Sequence, residues 1–416
     1  MIKKITDLLF TETGKDTTIV AVGTLINAAA GGLFFILVPR MLGPASYGLF
    51  ATTVAVSIFT VNLANLGIDT GILKFFQSGK ASPNSILTVA IKTYVLIGII
   101  IGLIGVLSSS NLASFLNQPA LAPLFKIAFA STLLLLLTNF YAAALQAQKK
   151  FFQASLVLVV SNVARILVLL VSALLFIINI SLVTALFFLV NVLSIVTGRL
   201  FLSFKFERAD NTIVKQFFGF NFWVWLSLVI TSIPYDNFLL LKLSGPAQTG
   251  LYFAPFKILT IAYQLGGNFS RVLAPRFSSF NTHQKVKEFT KKTLPIVGIF
   301  VLAMLALIPF ARIITLIFFG EGYANSVIIF QLLSLGFAFF FASIIPSAII
   351  LYYLGDSKAS FYITFLKVII FLTFLFLLIP RTAGAGAALS YMISELTFLI
   401  ASSVFVLYKL KNGRVS

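Results

Sequence analysis

Four bases lie inside apolar stretches where a charge is costly: Lys92, Arg165, Lys257 and Lys367. Near the centre of a hydrocarbon layer each costs roughly 2.5–3.5 kcal/mol, and less where the side chain can snorkel to an interface. Such residues persist where they face a wet cavity or a counter-charge. Arg165 is the deepest in its apolar run, so snorkelling helps it least. The chemistry on offer is anion binding: a guanidinium presents a fork to two phosphate oxygens, an ammonium a point charge. Three acids lie in or near the same stretches, Asp69, Asp236 and Glu395. They suit either an ion pair with one of the bases or the binding of a coupling proton or sodium ion. Asp69 has Arg40 and Lys74 near it in sequence, which favours a salt bridge. Asp236 follows Pro234, where a broken helix could aim its carboxylate into a cavity. Bases outnumber acids here, so pairing cannot account for all of them. Lys92 and Lys126, nearer helix ends, also fit the role of snorkelled anchors.

The elements that carry these residues are membrane-crossing helices. Of the 416 residues, 59% are hydrophobic and 10% charged, whereas a soluble chain averages about a quarter charged. The apolar residues fall in blocks near 20 long, which cross a hydrocarbon core of about 30 Å. We read twelve, at residues 18–39, 49–69, 86–107, 122–145, 153–177, 182–203, 217–240, 250–270, 294–317, 325–351, 360–380 and 384–408. The first is too long for a secretory signal and lacks a small-residue cleavage site, so no cleaved leader is expected. The net charge of +19 is concentrated in alternate loops, such as Lys149 with Lys150, and Lys285, Lys287, Lys291 and Lys292. That is the bias of cytoplasmic loops, and it places both termini in the cytoplasm. A nucleic-acid partner is not expected, since no basic soluble domain exists to hold one. Trp223 and Trp225 read as interfacial anchors, and Gly31-Gly32 as a site of close helix contact or bending.

Enzyme signatures are missing. Cysteine is absent, and His283 is the single histidine. There is no P-loop, no His/carboxylate metal cluster and no serine–histidine pairing, so neither cofactor nor metal is expected.

The octapeptide GPASYGLF at 43–50 returns as GPAQTGLY at 245–252, 202 residues later. A near-repeat at half the chain length marks two copies of one membrane unit, as in transporters. The expected organisation is an N-terminal six-helix bundle (1–204), a cytoplasmic linker (205–215) and a C-terminal six-helix bundle (216–416). An even number of spans per half relates the halves by a pseudo-two-fold axis along the membrane normal. The same offset aligns Arg165 with Lys367. In each copy a glycine and proline break one helix and start the next (Gly43, Pro44, Gly48; Gly245, Pro246, Gly250), as a plain turn or as a gate hinge.

The stretch Arg40-Met-Leu-Gly-Pro-Ala-Ser-Tyr-Gly48 resembles the polysaccharide-transporter branch of the multidrug/oligosaccharidyl-lipid/polysaccharide (MOP) flippases. Similar to it also are Ser232-Ile-Pro-Tyr-Asp236, Phe318-Phe-Gly-Glu-Gly-Tyr323 and Gly384-Ala-Gly-Ala-Ala388, in the family's order across essentially the whole chain. The resemblance implies an all-α membrane protein of twelve helices in two bundles around a central cavity, working by alternating access. It implies a flippase that moves undecaprenyl-diphosphate-linked oligosaccharide to the outer leaflet of the bacterial inner membrane, for O-antigen or capsule synthesis. The four bases would then meet the diphosphate. Partners would be the lipid-linked substrate, membrane lipids and polysaccharide polymerase machinery, with drive from the membrane potential, protons or sodium. The alternative is a cation-coupled multidrug exporter of the same superfamily, which the basic character of the candidate cavity residues disfavours.

Overall fold

A backbone in hydrocarbon has no water to bond to, so apolar runs of this length fold as helices that satisfy their own N–H and C=O groups. The computed structural model describes residues 12–76, 82–278 and 280–412. The side chains of Lys74 and Trp223 lie outside the described residues.

The described residues are almost wholly helical. Helix α1 runs Glu12–Asn65, α2 Ile68–Phe76, α3 Pro83–Phe115, α4 Leu121–Ala130 and α5 Thr132–Ala147. Next come α6 Phe151–Leu174, α7 Ile180–Leu189, α8 Asn191–Phe201 and α9 Asn211–Ser232. The chain continues with α10 Tyr235–Ser278, α11 His283–Phe319, a 3₁₀ turn Glu321–Tyr323, α12 Ser326–Ala348, a π turn Ile349–Tyr353 and α13 Ser357–Asn412. Among the described residues, 8 helical stretches are long and apolar enough to cross a membrane. The protein is a multi-pass integral membrane protein.

Local chemistry sets several ends. Pro83 opens α3 at a position where its missing N–H costs nothing. The side chains of Asn179, Asp210 and Thr282 accept from the backbone N–H of Leu182, Thr212 and Lys285, which are otherwise orphaned donors of a first turn. The three longest helices far exceed any single crossing. At about 1.5 Å per residue, the 56 residues of α13 would measure about 84 Å. Each of the three is broken inside: α1 at Gly43 (φ 72°), α10 at Gly245 (φ 81°) and α13 at Ala383 (φ 49°).

By internal packing the chain forms two units. The first takes in the described residues up to Phe34 together with Leu49–Pro234; the second takes Phe35–Gly48 and the described residues from Tyr235 onward. In the first, α3 packs on α4 and α5, α5 and α8 pack on α6, and α9 packs on α2. Its apolar core includes Ile68, Ile72, Leu87, Tyr94, Phe140 and Phe217. In the second, α12 packs between α11 and α13, and α10 against α12 and α13. This division does not follow the 205–215 linker. Helix α9, which the repeat assigns to the second half, packs with the first unit, and residues 35–48 of the first repeat pack with the second. Packing follows which helix faces meet, whatever the order of duplication.

Candidate functional site

In the first unit, Arg165 projects from α6 and is half-buried. Its Nε donates to the Phe187 carbonyl at 3.0 Å, and Nη1 to Asn162 Oδ1 at 2.6 Å. Nη2 reaches Asn191 Oδ1 at a longer 3.4 Å. Asn162 in turn donates to Asn27 Oδ1 at 2.6 Å, and Gly31 leaves room beside the Asn162 amide. The guanidinium carbon stands 4.1 Å from the Phe187 ring centroid, and Phe187 packs against Phe34 and Phe50. Every one of these acceptors is neutral. Arg165 has no carboxylate partner among the described residues, so its charge is oriented but not cancelled. A guanidinium oriented in this way has the chemistry to bind an anion.

Lys367 is in a different electrostatic state. Its Nζ lies 2.6 Å from Glu395 Oε1, across the break in α13. The Glu395 side chain is 2% exposed and that of Lys367 27%. This is the ion-pair alternative that the sequence left open, and it cancels the Lys367 charge to first order. The other oxygen, Glu395 Oε2, is buried with no hydrogen-bond partner among the described residues. The register that aligns Arg165 with Lys367 therefore joins a cation with no carboxylate partner among the described residues to a paired one.

The remaining acids bond to neutral groups. Asp69 accepts from Asn65 Nδ2 and Tyr94 Oη, each at 2.6 Å, with no cation bonded to it among the described residues. In the second unit Asp236 accepts from Tyr252 Oη at 3.0 Å and from the Asn237 backbone N–H at 2.9 Å. Both side-chain polar atoms of fully buried Asn237 lack partners among the described residues. Lys257 Nζ lies 5.5 Å from the Phe35 ring centroid. Lys92 is exposed on α3.

The two copies of the octapeptide meet inside the second unit. A Cβ added to Gly48 would fall 1.9 Å from the Pro246 carbonyl oxygen, and one on Gly250 would fall 1.9 Å from the Pro44 carbonyl oxygen. The contact is reciprocal: each copy's glycine admits the other copy's proline carbonyl. The other motifs gather on this crossing. Tyr323 Oη donates to the Pro39 carbonyl at 3.2 Å, and Gly322 faces the Pro44 ring. Arg40 donates to the Ile317 carbonyl at 2.8 Å, Ser326 to that of Leu251 at 2.7 Å, and the Gly384 N–H to Gln248 Oε1 at 3.4 Å. Four sequence motifs thus form one packed knot.

Sequence reasoning passed over Asn27, Asn162, Asn191, Tyr94, Tyr252 and Asn237. An asparagine within an otherwise apolar helix was the available signal for four of them. Trp225 is tied inward, its Nε1 donating to the Leu63 carbonyl at 2.8 Å within the first unit.

A family model described as "Polysaccharide biosynthesis protein" matches residues 13–281. The capsular polysaccharide biosynthesis protein CapF of Staphylococcus aureus is 29% identical over 184 residues, 43% of this chain and 45% of that protein. The match thus spans under half the length of that curated relative. Among solved structures, an inward-facing multidrug resistance MATE family transporter of the MOP superfamily superposes with a TM-score of 0.77 at 14% identity, over 94% of this chain and 96% of that one. The lipid II flippase MurJ, in an inward closed conformation, also gives 0.77 at 16% identity, over 94% and 87%. At such identities the likeness establishes the fold alone, and that fold is the MOP fold.

Proposed function

Because the chain belongs to the polysaccharide biosynthesis protein family, whose MOP fold is that of transporters and not of enzymes, we propose that it is a flippase for lipid-linked oligosaccharide. Cut at Gly43, Gly245 and Ala383, the long helices supply the pieces for twelve crossings in two bundles of six around a central cavity. The charge bias of the loops supports cytoplasmic termini, and the match to a bacterial protein supports a bacterial inner membrane. The sequence match to a capsular protein and the fold shared with a lipid II flippase support a carrier-lipid diphosphate as cargo and a surface polysaccharide as end product.

Arg165 carries this reading. A half-buried guanidinium held by neutral acceptors alone has charge to offer an anion, whereas Lys367 spends most of its own on Glu395. Lys257 and Lys92 are secondary contacts in the same scheme. The head group enters from the cytoplasm, the lipid tail stays in the bilayer, and the two bundles rock to release the sugar outside. A head group near −2 moving outward through 100 mV, interior negative, gains roughly 5 kcal/mol, so the potential suffices as the drive. Asp69, Asp236 and Glu395 are the groups available for proton or sodium coupling.

The test is Arg165→Ala beside Arg165→Lys in a strain that depends on this chain for surface polysaccharide. Export should fall at least tenfold in the alanine variant, with lipid-linked precursor accumulating on the inner leaflet, and the lysine variant should recover part of it. Normal export by Arg165→Ala at matched protein level sinks the anion-site reading. Loss of drug resistance with normal polysaccharide would point instead to the cation-coupled exporter.

A further inference from the structure

A second basic locus lies far along the sequence from Arg165. At the start of α11 a cavity of about 750 Å³ opens among α11, the end of α12 with its π turn, and the end of α13. That volume lies within the range of small-molecule pockets, roughly 300–1,000 Å³. Two lysines line it, Lys287 on α11 and Lys411 on α13, together with His283. The imidazole Nδ1 is 2.7 Å from Tyr353 Oη, which anchors it to the π turn. Much of the remaining lining is hydrocarbon: Ile345, Ile349, Val406, Leu407 and Leu410. The surroundings are cationic as well, with Lys285, Lys291, Lys292 and Lys409 nearby in sequence and Glu288 the single acid among them. Glu288 is engaged by Gln284 Nε2 at 3.1 Å.

A soluble anion would use the lysines but not the apolar wall. An apolar ligand would use the wall but leave the lysines uncancelled. A molecule with a phosphate at one end and an acyl chain at the other uses both. The wall also continues outward into strongly exposed apolar side chains, Leu407 (68%) and Val404 (60%). This is the form of a surface that hands a chain on to the bilayer. Basic pockets between membrane helices hold anionic lipid head groups in this way.

We propose that this cavity is a docking site for an anionic phospholipid of the surrounding leaflet, its phosphate held by Lys287 and Lys411 and one acyl chain lying on the Ile349–Val406–Leu410 wall. The π turn contributes to the site: Ile349 lines the pocket and Tyr353 Oη bonds His283, and π turns are often found at functional positions. The proposal rests on these residues alone and does not depend on the cargo path proposed above.

The experiment uses the full chain purified in a neutral detergent, with lipid binding counted by native mass spectrometry. Phosphatidylglycerol should bind and phosphatidylcholine should not. A basic residue near a lipid surface contributes about fivefold in affinity, so Lys287→Gln with Lys411→Gln should weaken phosphatidylglycerol about thirtyfold. Lys126→Gln, an exposed lysine on α4, should leave it unchanged. Val406→Trp, which intrudes on the apolar lining without altering charge, should also weaken binding. Undiminished binding by the lysine double variant overturns the proposal, and so does undiminished binding by Val406→Trp. Equal binding of phosphatidylcholine overturns it too. Displacement by inorganic phosphate would make this a soluble-anion site, and displacement by undecaprenyl phosphate a carrier-lipid site; either result overturns the assignment to phospholipid. Because the readout is binding, its failure leaves the Arg165 export test standing, and the reverse holds.

Discussion

The reciprocal glycine contact sets a test that depends on distance more than on chemistry. In Gly250→Ala the new Cβ would sit 1.9 Å from the Pro44 carbonyl oxygen, and in Gly48→Ala it would sit 1.9 Å from that of Pro246. Ordinary contact begins near 3.4 Å, so either variant must part the two segments by about 1.5 Å. The obstacle is backbone, and no side chain can rotate out of its way. Overpacking of this kind costs roughly 1–3 kcal/mol where neighbours adjust, and a carbonyl locked in a helix adjusts little, so we expect about 3 kcal/mol. At about 2–4 °C per kcal/mol for a unit of this size, the thermal midpoint in detergent should fall by about 6–12 °C. The two variants should behave alike, because the contact is symmetric. The double variant should cost little more than either single, since one separation of the segments relieves both clashes. Gly298→Ala, whose Cβ meets nothing within 4 Å, serves as the control and should not fall. Unchanged midpoints in both single variants, or fully additive losses in the double, would refute the interlocked-repeat geometry.

Other perturbations separate the charged groups. Removing one member of a buried pair costs about 3–5 kcal/mol while replacing both is nearly neutral; Lys367→Met or Glu395→Gln alone should therefore lower the midpoint, and the double variant should restore it. A coupling energy near zero would mean the pair at 2.6 Å contributes nothing. At the start of α3, the Glu207 carboxylate accepts from Ser82 and Asn84, and these bonds hold it below the usual carboxylate range. Its folded value is depressed, so the contribution is present above the unfolded value of about 4.3 and is lost as pH falls through the folded one. Glu207→Gln should thus speed proteolysis at Lys205 and Arg208 at neutral pH, and the difference from wild type should vanish in acid. A difference that persists unchanged at low pH would contradict the assignment.

How much was legible in advance differs from residue to residue. Twenty apolar residues in a row cross a bilayer whatever surrounds them, so membrane class could be read from runs such as 294–317 alone. Motifs carried the family likewise, and the breaks at Gly43 and Gly245 are announced by the proline that follows each. Arg165 and Lys367 were marked for the same reason: a charge in an apolar helix is visible in one line of sequence. Their difference was not. Whether a cation keeps its charge depends on what stands on the facing helix, and Glu395 lies 28 residues from Lys367, beyond a break in the backbone. Asn162, Asn191 and Phe187 meet Arg165 only because α6, α7 and α8 pack as they do. The sequence by itself determined the solvent of this protein, its repeated octapeptide and its family, since those rest on local composition and on order. Only the tertiary structure decided that the two repeats interlock glycine to proline, that one aligned cation is cancelled and the other is not, and that two lysines 124 positions apart share a cavity. Those are properties of faces in contact, and the chain carries no local mark of which faces will meet.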